Sequence, residues 1–175
     1  MKLLLHSCCA QCLIYPLERL KEKNIEVTGL FYNPNIHPLS EYNNRRKAIK
    51  DFSQTLNLEI IYPEYVPSEF FWETHLKEST PERCSICWQL RLRKTAQEAK
   101  EKEFDYFSTT LLVSPYQNQE LLKKIGEDIA KEQEIEFYYE DFRSGFKKAH
   151  DEAKAQGIYC QRYCGCIYSE VERCR

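Results

Sequence analysis

Lys2-Leu3-Leu4-Leu5-His6-Ser7-Cys8-Cys9-Ala10-Gln11-Cys12 opens the chain and decides how the rest is read. Its apolar run fits a short strand buried on both faces, and from about Gln11 to Lys23 a helix puts Leu13, Ile14, Leu17 and Leu20 on one side. The unit then recurs. Ile25 to Tyr32 reads as a second strand, followed by the turn-rich Asn33-Pro34-Asn35-Ile36-His37-Pro38 and a polar helix from Ser40 to Leu56. Leu58 to Tyr62 reads as a third strand, and Pro63 to Leu76 as irregular or a short helix. A long helix from about Pro81 carries Cys84, Cys87, Leu90, Leu92 and Ala96. Phe104 to Thr109 is expected as a fourth strand, Gln117 to Gln133 as a helix and Ile135 to Tyr139 as a fifth strand. A last helical stretch broken by Gly157 leads into a cysteine-rich tail. Strands alternating with helices of roughly 10 to 20 residues imply parallel βαβ units. The expected fold is therefore α/β: a doubly wound, mainly parallel, Rossmann-like sheet of about five strands. No linker, repeat or low-complexity tract divides the chain, which predicts one domain over 1–175 with a Cys-rich C-terminal extension over 157–175 packed on the active site.

Sheets of this kind bind ligands beyond the carboxyl ends of the strands, where the strand order reverses. Cys8 and Cys9 follow the first strand directly. In nucleotide-binding sheets this turn is rich in glycine, whose bare amides cradle phosphate. Here His6-Ser7-Cys8-Cys9-Ala10-Gln11-Cys12 contains none, which argues against ATP or a dinucleotide at this turn. The position carries sulfur instead, and a helix N-terminus favours thiolates.

Nine cysteines fall into three groups: Cys8, Cys9 and Cys12; Cys84 and Cys87; Cys160, Cys164, Cys166 and Cys174. A secreted disulfide scaffold usually has fewer than about 100 residues and an export signal. The apolar start turns polar at His6, too soon for a signal-peptide core, and no later run is long enough to span a bilayer. The expected location is the cytoplasm, where clustered thiols serve as metal ligands or redox pairs more often than as staples. With 25 Lys plus Arg against 27 Asp plus Glu, the formal charge of −2 gives no bulk support for a nucleic-acid partner. Local basic clusters, Arg45-Arg46-Lys47, Arg91 with Arg93 and Lys94, Lys123-Lys124 and Lys147-Lys148, can meet phosphates only if they share a face. Taken singly, each reads better as a solvated helix surface.

Cys84-Ser85-Ile86-Cys87 at a helix start lets two thiolates reach one centre, and two such pairs suit zinc or an iron-sulfur cluster. Spacing alone selects Cys9 and Cys12 as the second pair. The halves of a zinc ribbon usually lie ~15 to 20 residues apart, far closer than these, which weakens that reading without removing tetrahedral zinc. In the tail, Cys164-Gly165-Cys166 can close only a small, strained, easily reduced ring, as a cycling pair would. Two metal ligands in a turn remain the alternative. Cys160 and Cys174 carry no assigned role.

Several motifs, none specific alone, occur here in one order. They are Leu4-Leu5-His6-Ser7-Cys8-Cys9-Ala10, Phe31-Tyr32-Asn33-Pro34-Asn35-Ile36-His37-Pro38, Arg83-Cys84 through Cys87 with Arg91-Leu92, Thr109-Thr110-Leu111 with Ser114-Pro115-Tyr116, Asp141-Phe142-Arg143, and Tyr163-Cys164-Gly165-Cys166. Together they resemble the QueH family of epoxyqueuosine reductases along nearly the whole chain. Gln11 departs from the family, which commonly has proline there. The resemblance implies a nucleotide alpha-hydrolase-like variant of the fold. It also implies the last step of tRNA queuosine synthesis, removal of the epoxide oxygen from epoxyqueuosine at the wobble position. It further implies a [4Fe-4S] cluster on Cys8, Cys9, Cys84 and Cys87, and a redox-active disulfide pair at Cys164 and Cys166. This overrides the choice of Cys12 made on spacing.

Epoxide to alkene takes two electrons and two protons, whereas a cluster usually passes electrons singly. A Cys164/Cys166 dithiol can hold the second equivalent; an additional iron or other metal ion, acting as Lewis acid, is the other solution. For that second metal or for proton delivery the candidates are Cys12 and Asp141, although Asp141 reads equally well as a surface cap before Ser144. His6 reads as a satisfied strand-end residue rather than a ligand, close enough to Cys8 to tune it. The expected partners are tRNA carrying epoxyqueuosine and an unidentified electron donor, with no membrane. Tyr62, Tyr65, Phe70, Phe71 and Trp72 offer stacking faces but are expected mostly to pack on the sheet edge, while Asn33, Asn35, His37, Ser114 and Tyr116 surround the expected mouth. Two other readings compete: a general thiol-disulfide oxidoreductase and a zinc-stabilised RNA-binding module without catalysis.

Overall fold

The computed structural model describes residues 1–75 and 82–174, the last without its side chain. Five parallel strands, β1 (Lys2–His6), β2 (Glu26–Leu30), β3 (Ile60–Ile61), β4 (Tyr106–Thr109) and β5 (Glu136–Phe137), run in the order β3-β2-β1-β4-β5. The helices α1 (Ala10–Glu22), α2 (Leu39–Thr55), α3 (Pro67–Thr74), α4 (Glu82–Glu101), α5 (Gln119–Gln133) and α6 (Phe146–Ala155) come between or after them, and α7 (Ile167–Cys174) closes the chain. This is the doubly wound parallel sheet expected from the alternation of patterns.

β1 is the centre of the sheet because Leu3, Leu4 and Leu5 can be buried on both faces at once, and all three have no solvent exposure. It pairs with β2 on one side and β4 on the other. The chain winds outward through β2 and β3, then returns to start β4 against β1. The switch point therefore lies between the carboxyl ends of β1 and β4, where His6 stands beside Thr109.

The edge strands are shorter than the apolar runs suggest. β3 and β5 keep two residues each, inside the expected spans of Leu58–Tyr62 and Ile135–Tyr139. Each pairs on one side only, and apolar periodicity reports burial but not where a one-sided ladder stops. The helix expected from Gln117 begins at Gln119, because the Asn118 side chain accepts from the Leu121 amide and caps it. α7 is an element the sequence pattern did not reveal. The expected helix start at Pro81 lies outside the described residues, as does the Cys174 side chain. No helix among the described residues is long and apolar enough to cross a membrane.

α6 docks across α1 through a close approach at Gly145, just before the helix begins. A β-carbon built there would lie 1.9 Å from Tyr15 Cγ, inside its ring. Gly145→Ala should therefore lower stability by about 1–3 kcal/mol, with a lower urea midpoint and an unchanged slope as the measurement.

Candidate metal centre

Cys9 is the N-cap of α1. Its extended backbone (φ −169°, ψ 160°) turns the sulfur back over the helix, where it accepts from the Cys12 amide at 3.3 Å. A helix-end amide that a phosphate would seek is thus taken by sulfur. Cys8 Sγ lies 3.7 Å from Cys9 Sγ, and the three sulfurs of Cys8, Cys9 and Cys12 lie within 4.8 Å of one another, all buried. Thr110, on the 3₁₀ turn Thr110–Val113 after β4, presents Oγ1 to the Cys8 amide at 3.4 Å and to its sulfur at 3.8 Å. Both flanks of the switch point therefore contribute. Gln161 closes the other side, its Nε2 3.0 Å from Cys9 Sγ and 3.5 Å from Cys12 Sγ.

Three buried thiols cannot all ionise without a cation. Hydrogen bonds from Cys12 and then Cys9 hold the Cys8 thiol well below its ordinary pKa, so the first negative charge gathers there. Burial pushes Cys9 up, and the bonds it shares with Cys8 and Cys9 push Cys12 up. A metal ion supplies the missing charge, and a set of sulfur donors suits a soft or borderline metal. The trio can hold one.

Cys84 and Cys87 sit on the first turns of α4, outside this tight trio. Cys87 is buried beside Phe70 and Cys166, and burial pushes its pKa up to about 12, with the charge of Arg91 acting against the shift. Cys84 is half-buried and is also raised, first by burial. Cys166 is buried, and Ser169 N approaches its sulfur at 3.4 Å. Cys164 is exposed, yet the protein packed behind its thiol raises its pKa while Arg91 opposes the rise. Cys164 and Cys166 are both free thiols.

The tail reaches the sheet through a buried guanidinium. Arg45 on α2 donates from Nη2 to Tyr163 O and from Nη1 to Cys164 O, each at 2.9 Å, while its Nε pairs with Glu41 at 2.7 Å. Tyr159 OH donates to the same Glu41, Tyr163 OH donates to His37 O, and His37 N donates to Gly165 O at 2.8 Å. Gly165 has φ +141°, and a β-carbon there would meet Ile36 at 3.1 Å and Asn35 at 3.2 Å. Only glycine seats this turn without displacing its neighbours.

Other expected residues fall out as follows. His6 is buried between Thr109 Oγ1 at 3.0 Å and Tyr32 O at 3.1 Å, and burial lowers its pKa to about 4. It is a satisfied neutral residue with no hydrogen bond to Cys8 among the described residues. Asp141 lies at the surface, caps its own turn through the Arg143 amide at 3.0 Å and is gripped by the Arg143 side chain, which holds its pKa below the usual range. This is the surface cap that the sequence also allows. Asn33, Asn35 and His37 are buried, and Asn33 Oδ1, Asn35 Oδ1 and both His37 ring nitrogens have no hydrogen-bond partner among the described residues. Phe70 is buried, Phe71 stacks on His37 at 4.8 Å and Tyr65 on Tyr42 at 3.8 Å, so most of that aromatic run packs as expected, while Trp72 is 77% exposed.

Two members of the basic clusters depart from the expected solvated helix surface. Arg45 and Arg91 are each only 1% exposed. Arg93 pairs with Glu132, Lys94 with Glu98, Lys47 with Asp51, Lys123 with Glu127 and Lys148 with Glu18. Sequence reasoning missed that Arg45 and Arg91 face inward. A signal existed: Arg91 follows Cys87 by one helical turn and shares its face, and Arg45 follows Glu41 in the same way. Gln161 carried no signal.

A doubly wound parallel sheet with three buried thiols at its switch point, and further cysteines brought up by α4 and the tail, defines a thiol-rich α/β protein able to hold metal. The family model described as "Epoxyqueuosine reductase QueH" matches residues 3–172. Relatives bearing that name share 38% identity in Dehalococcoides mccartyi (98% of this chain, 94% of the relative), 36% in Thermotoga maritima (97% and 91%) and 35% in Streptococcus pyogenes (95% and 69%). The chain belongs to the QueH family.

Arg45→Met should free the tail while leaving the sheet intact. Amide exchange at 163–166 is expected to accelerate about tenfold or more, since two charge-assisted hydrogen bonds are lost, whereas the amides of β1 should keep their relative protection. Hydrogen exchange read by mass spectrometry checks this.

Proposed function

We propose that this protein is an epoxyqueuosine reductase, an oxidoreductase that removes the epoxide oxygen from epoxyqueuosine at the wobble position of tRNA and leaves queuosine and water. One observation carries the reading: the family match spans residues 3–172, and every cysteine given a role here lies within it. A tRNA substrate makes the cytoplasm the place of action.

Cys8, Cys9, Cys84 and Cys87 are the proposed ligands of a [4Fe-4S] cluster. The donor chemistry fits. Cys8, Cys9 and Cys87 are buried; Cys9 and Cys87, whose ionisation burial opposes, are well suited to giving up protons only when metal arrives. A buried guanidinium beside them, that of Arg91, has two nitrogens with no partner among the described residues and so expects negative charge. When bound, such a cluster supplies electrons one at a time.

Opening the epoxide to the alkene consumes two electrons and two protons and releases the oxygen as water. The Cys164 and Cys166 thiols hold that complement: forming one S–S bond releases two electrons and two protons. An external electron donor must then reduce the disulfide for the next turnover. Cys164, the exposed member, is placed to meet the substrate, and Gln117 Nε2 lies 4.0 Å from its sulfur. Cys12 is the residue suited to a second metal or to proton delivery. Asp141 could share that role only after leaving Arg143. Asn33, Asn35 and His37 bring to the tail motif buried polar atoms with no partner among the described residues, and can read the hydroxyls of the modified base. Tyr116, 84% exposed next to Gln117, offers a stacking face for a nucleotide.

Anaerobic reconstitution followed by iron and sulfide analysis, with turnover on epoxyqueuosine-containing tRNA, tests the reading. Protein without iron, labile sulfide or turnover would refute it. Cys164→Ser and Cys166→Ser should keep the iron and the visible absorption but lose all or nearly all turnover; iron loss in either would make that residue a ligand. Tyr116→Ala should keep the iron and weaken tRNA binding by about 1–3 kcal/mol if a base stacks there, as measured by filter binding at fixed salt.

A further inference from the structure

Arg91 is a buried charge, only 1% exposed, whose guanidinium fork the chemistry above does not use. It lies one turn beyond Cys87 and two beyond Cys84, on the same face of α4, and its Nε is tied to Cys87 O at 3.2 Å. That bond fixes the base of the guanidinium and leaves the fork free. Nη1 and Nη2 have no partner among the described residues, although the residue is only 1% exposed. The groups whose charge would act on it are the thiols of Cys87, Cys164, Cys8 and Cys84. Those four thiols come from three separate segments: the turn after β1, the start of α4 and the tail.

A buried cation with no counter-charge is strongly unfavourable, and sequences rarely keep one without a partner. A carboxylate would normally neutralise it, as Glu41 neutralises Arg45. None is bonded to Arg91 among the described residues. Among the described residues, the groups whose charge would act on it are thiols, Cys87 foremost, which become negative when metal replaces their protons. The missing anion is then the metal-loaded thiolate site itself, since a cluster held by four thiolates carries net negative charge.

We propose that Arg91 is a positioning residue for the iron-sulfur site, whose two free guanidinium nitrogens supply the counter-charge of the loaded thiolates and raise the reduction potential of the cluster. The inference rests on the cluster assignment above. A fixed positive charge favours the more negative, reduced state, so its removal makes reduction harder. The fork also suits two acceptors at once, which an ammonium group cannot match.

The test uses the full chain, reconstituted anaerobically with iron and sulfide, in wild-type, Arg91→Met, Arg91→Gln and Arg91→Lys forms. Circular dichroism reports the fold, metal analysis reports loading, and an EPR-monitored titration gives the midpoint potential. Arg91→Met and Arg91→Gln should fold and lower the potential by at least the equivalent of tenfold in the one-electron equilibrium, about 59 mV. Arg91→Lys, which keeps the charge, should recover most of that loss. Equal potentials in wild type and Arg91→Met at equal iron content would overturn the proposal. So would an Arg91→Lys potential as low as that of Arg91→Met, or unchanged potentials with weakened tRNA binding, which would assign the fork to the substrate. If neither neutral variant folds, Arg91 supports the metal-free fold instead, and the proposal is likewise lost. Wild-type protein that takes up no iron or sulfide would fail at the cluster assignment, a result distinct from all of these.

Discussion

Three sulfur atoms held within 4.8 Å of one another, at the end of a strand with no solvent on either face, are the constraint around which the rest of this molecule is arranged. Leu3, Leu4 and Leu5 fix β1 in the middle of the sheet, and the abrupt entry into α1 leaves Cys8, Cys9 and Cys12 on one side of the turn. Using Cys9 sulfur as the helix cap couples the two roles: the atom that ends the unpaired amides of α1 is also a member of the trio. Replacing the turn by a glycine-rich phosphate cradle would lose both. The sheet type is shared with nucleotide-binding proteins, but the chemistry at its switch point has changed from backbone amides to thiols.

The second dependency is the seating of the tail. Residues 159–166 form no helix or strand, so their carbonyls must find donors elsewhere. Arg45 provides two, and Tyr163, His37 and Gly165 interlock with the loop after β2. This brings Gln161 over Cys9 and Cys12, and Cys166 against Cys87 and Phe70. α7 then packs through Tyr168, with Cys166 just before the helix, rather than through a long apolar stripe, and Ile167 and Val171 are left exposed. Thiols distant in sequence thus meet because a polar clamp, not an apolar core, carries the last segment to the site.

That difference explains what was legible in the sequence. The sheet could be read because Leu3 to Leu5, Ile25 to Tyr32 and Phe104 to Thr109 are apolar runs separated by helical periods, and burial is what such runs record. α7 could not, since none of its described side chains is fully buried and its packing rests on the half-buried Tyr168. The thiol groups stood out by spacing, but spacing alone chose Cys9 with Cys12, and the resemblance chose Cys8 with Cys9. The fold brings all three together, because a tight turn and the first turn of a helix point Cys8, Cys9 and Cys12 the same way. Asp141 shows the opposite case. Its position in a motif suggested chemistry, whereas Arg143, two residues on, had already claimed its carboxylate.

Charge was the hardest property to read, and the reason is physical. A composition of nearly balanced charge says nothing about which arginine is turned inward, and runs such as Arg45-Arg46-Lys47 look like surface. Their members divide: Arg45 is buried against Glu41 and the tail carbonyls, while Arg46 lies over the Tyr62 ring and Lys47 pairs with Asp51 at the surface. A guanidinium can be buried where an ammonium would fail because its charge is delocalised and its donors are spread over a plane. Two of the buried arginines near the thiols use that property, Arg45 to gather carbonyls and Arg91, in our proposal, to face sulfur. Two cations held close to groups that are neutral as thiols and anionic as thiolates bias the site toward its deprotonated state. The protein thereby stores, in its own arginines, the electrostatic complement of the thiolates that metal binding would create.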